Sequence, residues 1–210
     1  MINVAARFDK QGHVLEFDKD AHSYRLNGKS VPSVTQLLES NGISDFSMVK
    51  PDILDRAINY GHAIHEMTQW DDEDRLDEST VDEKLQEPLR LWREFCEPKI
   101  EKWVAIEMPV ASTRYGYAGM LDRVALAKNG ELWLLDIKSG APTTAHAIQL
   151  SGYENAYREM TGERRTIHRF TIILNNKLKI KPHGKTQFDF QRDFNVFKSA
   201  ITIHKFNLKG

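Results

Sequence analysis

The fold class the sequence predicts is a mixed β-sheet flanked by helices, an α/β or α+β sandwich. Helical spacing fills much of the chain up to about residue 97, and three strand-like segments follow between 103 and 139. Helix, strand pair and helix then close the chain, an order that suits helices packed on a sheet. Asn129-Gly130, between the second and third strand segments, is a tight-hairpin signal that fixes those two strands as antiparallel.

Residues 13–36 read as short strands joined by a turn at Asn27-Gly28. Ser33 or Thr35 is placed to cap a short helix through Leu38. Pro51 suits a first helical position and opens a helix from about 51 to 70. The acidic stretch after it reads as a surface loop or a helix N-terminus. A second helix puts Leu85, Leu89, Trp92 and Phe95 on one face and runs to about 97, where Pro98 interrupts it. Residues 103–111, 116–127 and 131–139 read as strands, and 143–161 returns to helical spacing. Residues 167–175 and 177–182 form a strand pair, the second with alternating lysines that suit an exposed edge. An amphipathic helix over 189–205 closes the chain.

A chain of 210 residues, 40% hydrophobic and 28% charged, corresponds to one globular domain. Within it, 1–60 supplies an N-terminal hairpin and helices, 61–161 the chemistry-bearing motifs, and 162–210 a basic strand pair and the closing helix. The lone Cys96 excludes an internal disulfide framework, a cysteine-based zinc site and a four-cysteine iron–sulfur cluster. No apolar run approaches a membrane span, and no signal-peptide pattern opens the chain, so the expected location is cytoplasmic. The phosphate-loop pattern is missing, because Lys179 stands where its first glycine belongs, and no ATP site is expected. Net charge is −1, but residues 71–87 hold nine acids while 164–185 hold seven Lys/Arg and no acid. Such segregation suits one face meeting a polyanion; it equally suits solvated faces.

Asp136 ends the apolar strand Leu132-Trp133-Leu134-Leu135, and Ile137-Lys138 follows it. The two-residue period puts Asp136 and Lys138 on one face of that strand. A strand-end salt bridge is one reading. Asp122, in the neighbouring strand, favours another. Pairing about the Asn129-Gly130 turn brings it near Asp136 or Lys138, within a residue of register. Two carboxylates on adjacent strands repel, and a divalent cation resolves the repulsion. Oxygen ligands favour Mg²⁺, or Mn²⁺, over zinc. Beside such an ion, Lys138 suits orienting or helping to deprotonate a water, or stabilising charge on a phosphate.

These residues resemble the PD-(D/E)XK nucleases, in particular the RecB-type exonuclease branch. That branch carries a histidine on an early helix, then Gly-x-x-Asp and Asp-x-Lys on successive strands, then Gln-x-x-x-Tyr on a helix. Here Gly61 to His65, Gly119 to Asp122, Asp136 to Lys138 and Gln149 to Tyr153 match in that order. Residues 24–35 also resemble the start of small phage-type nucleases of this group.

The resemblance implies a restriction-endonuclease-like core and a Mg²⁺-dependent DNA exonuclease, phage- or prophage-derived, acting in recombination or end processing. Asp122 and Asp136 would hold the metal, with His65 and the Ile137 carbonyl completing its shell. Lys138 would position the attacking water, and Gln149 and Tyr153 would hold the catalytic strand or the DNA backbone. Glu107 reads either as a further metal-site acid or as a strand-edge charge. Phosphate contacts would come from Arg164, Arg165, Arg169, Lys177, Lys179 and Lys181. Related phage exonucleases form toroids, so a homo-oligomer fits, as does a recombination or annealing protein as partner. A structure- or sequence-specific endonuclease and a non-catalytic nucleic-acid-binding accessory protein are the alternatives. The spacing His62-x-x-His65 does not match the zinc-hydrolase pattern, which needs histidines four apart. His62 is expected to be solvent-facing or to support the site from behind, and Gly61 to let the helix approach the sheet closely.

Overall fold

The computed structural model describes residues 12–45, 47–184 and 186–208, together with the backbone of 4–7. Four short antiparallel strands come first: β1 (Val4–Arg7), β2 (Val14–Asp18), β3 (Ser23–Leu26) and β4 (Lys29–Val31), paired in chain order. Asn27 and Gly28 both adopt positive φ at the β3–β4 turn, the conformation that a two-residue hairpin requires.

Helix α1 (Val34–Glu39) opens with a capping box between Ser33 and Gln36, so Ser33, not Thr35, is the cap. Helix α2 (Pro51–Asp72) has Pro51 in its first turn. Helix α3 (Glu83–Lys99) passes through both Pro88 and Pro98, where the sequence predicts a stop at about 97. Pro88 cannot bond the Lys84 carbonyl, and the Tyr60 hydroxyl donates to it instead at 3.3 Å. Pro98 falls in the last turn, where little helix remains to be broken.

The main sheet runs β5 (Ile100–Ser112), β6 (Tyr117–Ala127), β7 (Leu132–Lys138), β8 (Ile167–Leu174), β9 (Leu178–Pro182) in spatial order. Only β7 and β8 pair in parallel, and the crossover between them is helix α4 (Ala145–Thr161). Between β6 and β7, the Ala127 amide bonds the Glu131 carbonyl around a loop ending in Gly130 at φ 83°, a three-residue turn in place of the two-residue one. Helix α5 (Gln187–Asn207) closes the chain behind a Thr186–Asp189 capping box. The observed architecture is therefore a mixed α/β fold with a five-stranded mixed sheet and helices on both faces.

The two-residue period of β7 sorts its side chains. Leu135 and Ile137 pack with Ile64, Met67, Trp92 and Phe95 of α2 and α3. Leu132 and Leu134 pack with Tyr153, Phe194 and Phe197 of α4 and α5. Two small residues set close approaches. A Cβ on Gly119 would meet Tyr153 Cε1 at 2.7 Å, and one on Gly152 would meet the Phe197 ring at 2.9 Å. The small face of α4 is thus shared between the sheet and α5. At Gly61 a Cβ would lie 3.7 Å from Ser139 Oγ, an ordinary contact, so the expected close approach of α2 at that point is absent. Among the described residues no helix is long and apolar enough to cross a membrane.

Candidate metal centre and cleft

The β6–β7 ladder ends at Arg123 opposite Leu135. One residue further the strands part, and a side chain takes over from the backbone. Asp122 Oδ2 accepts the Ile137 amide at 2.6 Å. Asp122 is therefore fixed at the strand fork, with Asp136 next to it in the continuing register.

Across β5, the residue opposite Asp122 in register is Glu107. Its φ is +43°, a left-handed conformation that costs a non-glycine residue about 1–2 kcal/mol. Such strain inside a strand persists only where the surroundings enforce it. Here Glu107 Oε1 accepts from Arg123 Nη1 at 2.7 Å and lies 3.5 Å from His65 Nδ1. His65 Nδ1 is also 3.7 Å from Asp122 Oδ1. His65, Glu107 and Asp122 each offer a ligand atom within 4.8 Å of the others, the one such group of three among the described residues.

His65 Nε2 lies 3.0 Å from the Ile137 carbonyl. Donation to that carbonyl orients the ring and leaves Nδ1 facing the acids, the usual device for a metal-ligating histidine. In this structure, then, the Ile137 carbonyl supports His65 where the resemblance gives it a place in the metal shell. Burial is the largest single influence on His65 and lowers its pKa. The carboxylates of Asp122 and Glu107 outweigh it, and the net shift is upward. Any cation taken up at Nδ1 would therefore have to displace a proton.

Asp136 is buried, with Oδ1 bound to Lys138 Nζ at 2.8 Å and Oδ2 without a hydrogen-bond partner. Two carboxylates stand near one ammonium, and burial acts on both Asp136 and Lys138. Burial raises the Asp136 carboxyl, Lys138 opposes the rise, and Asp122 adds to it. Burial lowers the Lys138 pKa, but Asp136 and Asp122 outweigh it, so the ammonium persists above its ordinary range.

Lys138 opens onto a cleft of about 600 Å³, whereas Asp136, predicted as a metal ligand, lies behind it, outside the cleft lining and outside the His65–Glu107–Asp122 group. His65, Glu107, Asp122 and Lys138 line one side, and Gln149 and Tyr153 of α4 another. Gln149 Nε2 donates to the Tyr153 hydroxyl at 3.2 Å. Burial keeps that hydroxyl protonated, and Asp122 and Asp136 add to the effect. The roof is the small N-terminal sheet, through Phe17, His22 and Tyr24, none of which the sequence assigns a role at the site. His62 is exposed at the cleft mouth. A second hollow, of about 570 Å³ beside α3, is lined by Arg90 and Arg93, which are already paired with Glu87, Glu94, Asp71 and Glu78.

The basic segment divides into three. Arg169 is 2% exposed and pairs with Glu154 and Asp193, so it is not a surface contact for a polyanion. It lies on a strand covered by helices on both faces, where a charge must be paired internally. Arg164 and Arg165 are exposed, but they precede the start of β8, at the end of the sheet away from Lys138. Lys177 and Lys179 are exposed and Lys181 is half-buried, all near the cleft end. Lys138–Ile173–Lys179 and Asp136–Thr171–Lys181 are rows across β7, β8 and β9, so these lysines share a sheet face with Asp136 and Lys138. Lys185 lies outside the described residues.

The acidic run also needs correction at its start. Asp72 is buried against Arg123 Nε at 2.6 Å, and Asp71 binds Arg93 at 2.6 Å. A scan against models of protein families finds no match to this chain, and a search of curated proteins finds none either.

Proposed function

We propose that this chain is a Mg²⁺-dependent deoxyribonuclease with a restriction-endonuclease-like core of the PD-(D/E)XK type, working as an exonuclease in DNA recombination or end processing. One observation carries the reading: Asp122, Asp136 and Lys138 meet where two strands fork, and Asp122 forms with His65 and Glu107 a group able to hold an ion. The donors fit a hard cation. They are mainly carboxylate oxygens, and the buried Asp136 Oδ2 has no hydrogen-bond partner of its own. Mg²⁺ bound there supplies charge neutralisation of a phosphate and a lowered pKa for water.

The chain's own residues do the rest. Asp122 and Glu107 present negative charge toward the ion, with His65 Nδ1 between them. Lys138, tethered by Asp136, directs its ammonium into the cleft and donates to a phosphate oxygen as charge builds there. Tyr153 and Gln149 bound the same space and hold the backbone of the substrate strand. Lys179 and Lys181 lie two strands over, about 10 Å away on the same face, and attract the flanking phosphates.

The test is incubation with linear and covalently closed circular duplex DNA, in Mg²⁺ or in EDTA. Loss of the linear form alone, only with Mg²⁺, is the expected result. Cutting of the circle converts the reading to an endonuclease. Cleavage of neither, with DNA binding intact, leaves a non-catalytic binding protein.

A further inference from the structure

Arg123 follows Asp122 on β6, and its side chain is fully buried. It reaches two other elements, α2 and β5, and the backbone of its own strand. Nε donates to Asp72 Oδ2 of α2 at 2.6 Å, and Nη1 to Glu107 Oε1 of β5 at 2.7 Å. Nη1 also bonds the Asp122 carbonyl at 2.8 Å, and Nη2 bonds Thr68 Oγ1 at 3.1 Å. Asp72 is fixed in turn by the Trp92 indole at 2.9 Å, and the Thr68 hydroxyl donates to the His65 carbonyl at 3.0 Å. Neither Asp72 nor Arg123 lines the cleft.

The planar guanidinium has its donors spread over Asp72, Glu107, Thr68 and the Asp122 backbone, so its orientation is fixed. It engages Oε1 of Glu107, the same oxygen that lies 3.5 Å from His65 Nδ1. The charges also balance in a useful order. Asp72 neutralises Arg123 from behind, so Glu107 keeps its negative charge for the cleft and Arg123 does not repel a cation there. The positive φ of Glu107 agrees with a side chain held in place by its partners.

We propose that Asp72 and Arg123 are positioning residues that set how tightly the cleft holds its divalent ion, by fixing Glu107 and compensating each other's charge. The proposal rests on the metal-dependent reading of the cleft. Its test uses Mn²⁺ alone as probe, with no DNA, and free Mn²⁺ followed by electron paramagnetic resonance. Glu107→Gln should lose most of the affinity and serves as the reference. Asp72→Asn and Arg123→Lys should each weaken Mn²⁺ binding about tenfold or more, the scale of losing a residue that orients a metal ligand. Near-ultraviolet circular dichroism reports whether each variant is folded.

Folded Asp72→Asn and Arg123→Lys with wild-type affinity, beside a weakened Glu107→Gln, would overturn the proposal and leave the metal centre standing. Wild-type affinity in Glu107→Gln would overturn both. If the buried substitutions do not fold, Thr68→Val and Thr68→Ser decide. The valine removes the hydroxyl from Arg123 and should weaken Mn²⁺ binding severalfold, and the serine should restore it. Equal affinity in the two would overturn the proposal.

Discussion

Two buried arginines face each other in role across the sheet. Arg123 is held by Asp72 and Glu107, and Arg169 by Glu154 and Asp193. Both guanidiniums lie over an aromatic ring, Arg123 over Trp92 and Arg169 over Phe190. The difference is in their partners. Glu154 and Asp193 are buried too, and their outer partners, Arg158 and Arg192, reach solvent away from the cleft, so the network ties α4, β8 and α5 together without entering it. Glu107 keeps one-fifth of its side chain exposed and lines the cleft. A buried ion pair says little about function until one of its members reaches solvent at a site.

The comparison breaks most visibly at the two glutamates. Glu107→Gln should cut Mg²⁺-dependent cleavage about a hundredfold or more, the cost of losing one preorganised charge, with little change in melting. Glu154→Gln should leave cleavage per folded molecule near wild type and lower the melting temperature. Cleavage and melting measured on both variants separate the roles, and a cleavage defect in Glu154→Gln would erase the distinction. Arg169→Met should lower unfolding free energy by about 1–3 kcal/mol, because it takes one partner from two buried carboxylates that keep Arg158 and Arg192, and urea titration reads this directly.

A smaller effect involves His183, which contacts Thr171 Oγ1 at 2.8 Å beside the Arg169 network. Burial holds its pKa down to about 4, with Lys181 and Arg169 adding to the effect and Asp193 opposing it. Unfolded, it titrates near 6.5. Between those values the unfolded chain binds more protons, so stability should fall as pH drops from about 6.5 to about 4. His183→Gln should flatten that part of the profile, and an unchanged slope would assign it to other groups. The smallest effect is Thr186→Ala, which removes the cap of α5 and should cost about 1 kcal/mol in urea titration.

Most of this organisation is legible in the sequence where periodicity and chemistry coincide. Asp136 and Lys138 stand out because they interrupt an apolar strand, and Asp122 because a hairpin signal pins its neighbour. Glu107 keeps two readings in the sequence, since nothing local reveals a positive φ or an arginine behind it. Asp72 is hidden for the opposite reason. It sits in a run of acids whose average behaviour is solvation, and only the fold shows that one of them turns inward to Arg123. Arg169 misleads in the same way within a basic run, although its flanks, Ile167-His168 and Phe170-Thr171-Ile172, are those of a covered strand. Segment composition averages over faces, and burial is decided residue by residue.

The most direct test of the central claim is Lys138→Ala, assayed for Mg²⁺ binding by calorimetry and for single-turnover cleavage of linear duplex DNA. An ammonium has three donors and no acceptor, so it is not itself a cation ligand. Removing it takes a positive charge from beside the ion, so Mg²⁺ affinity should hold or rise. Cleavage should fall by about a hundredfold or more. Wild-type cleavage in Lys138→Ala would make the Asp136–Lys138 contact a strand-end salt bridge and contradict the nuclease reading.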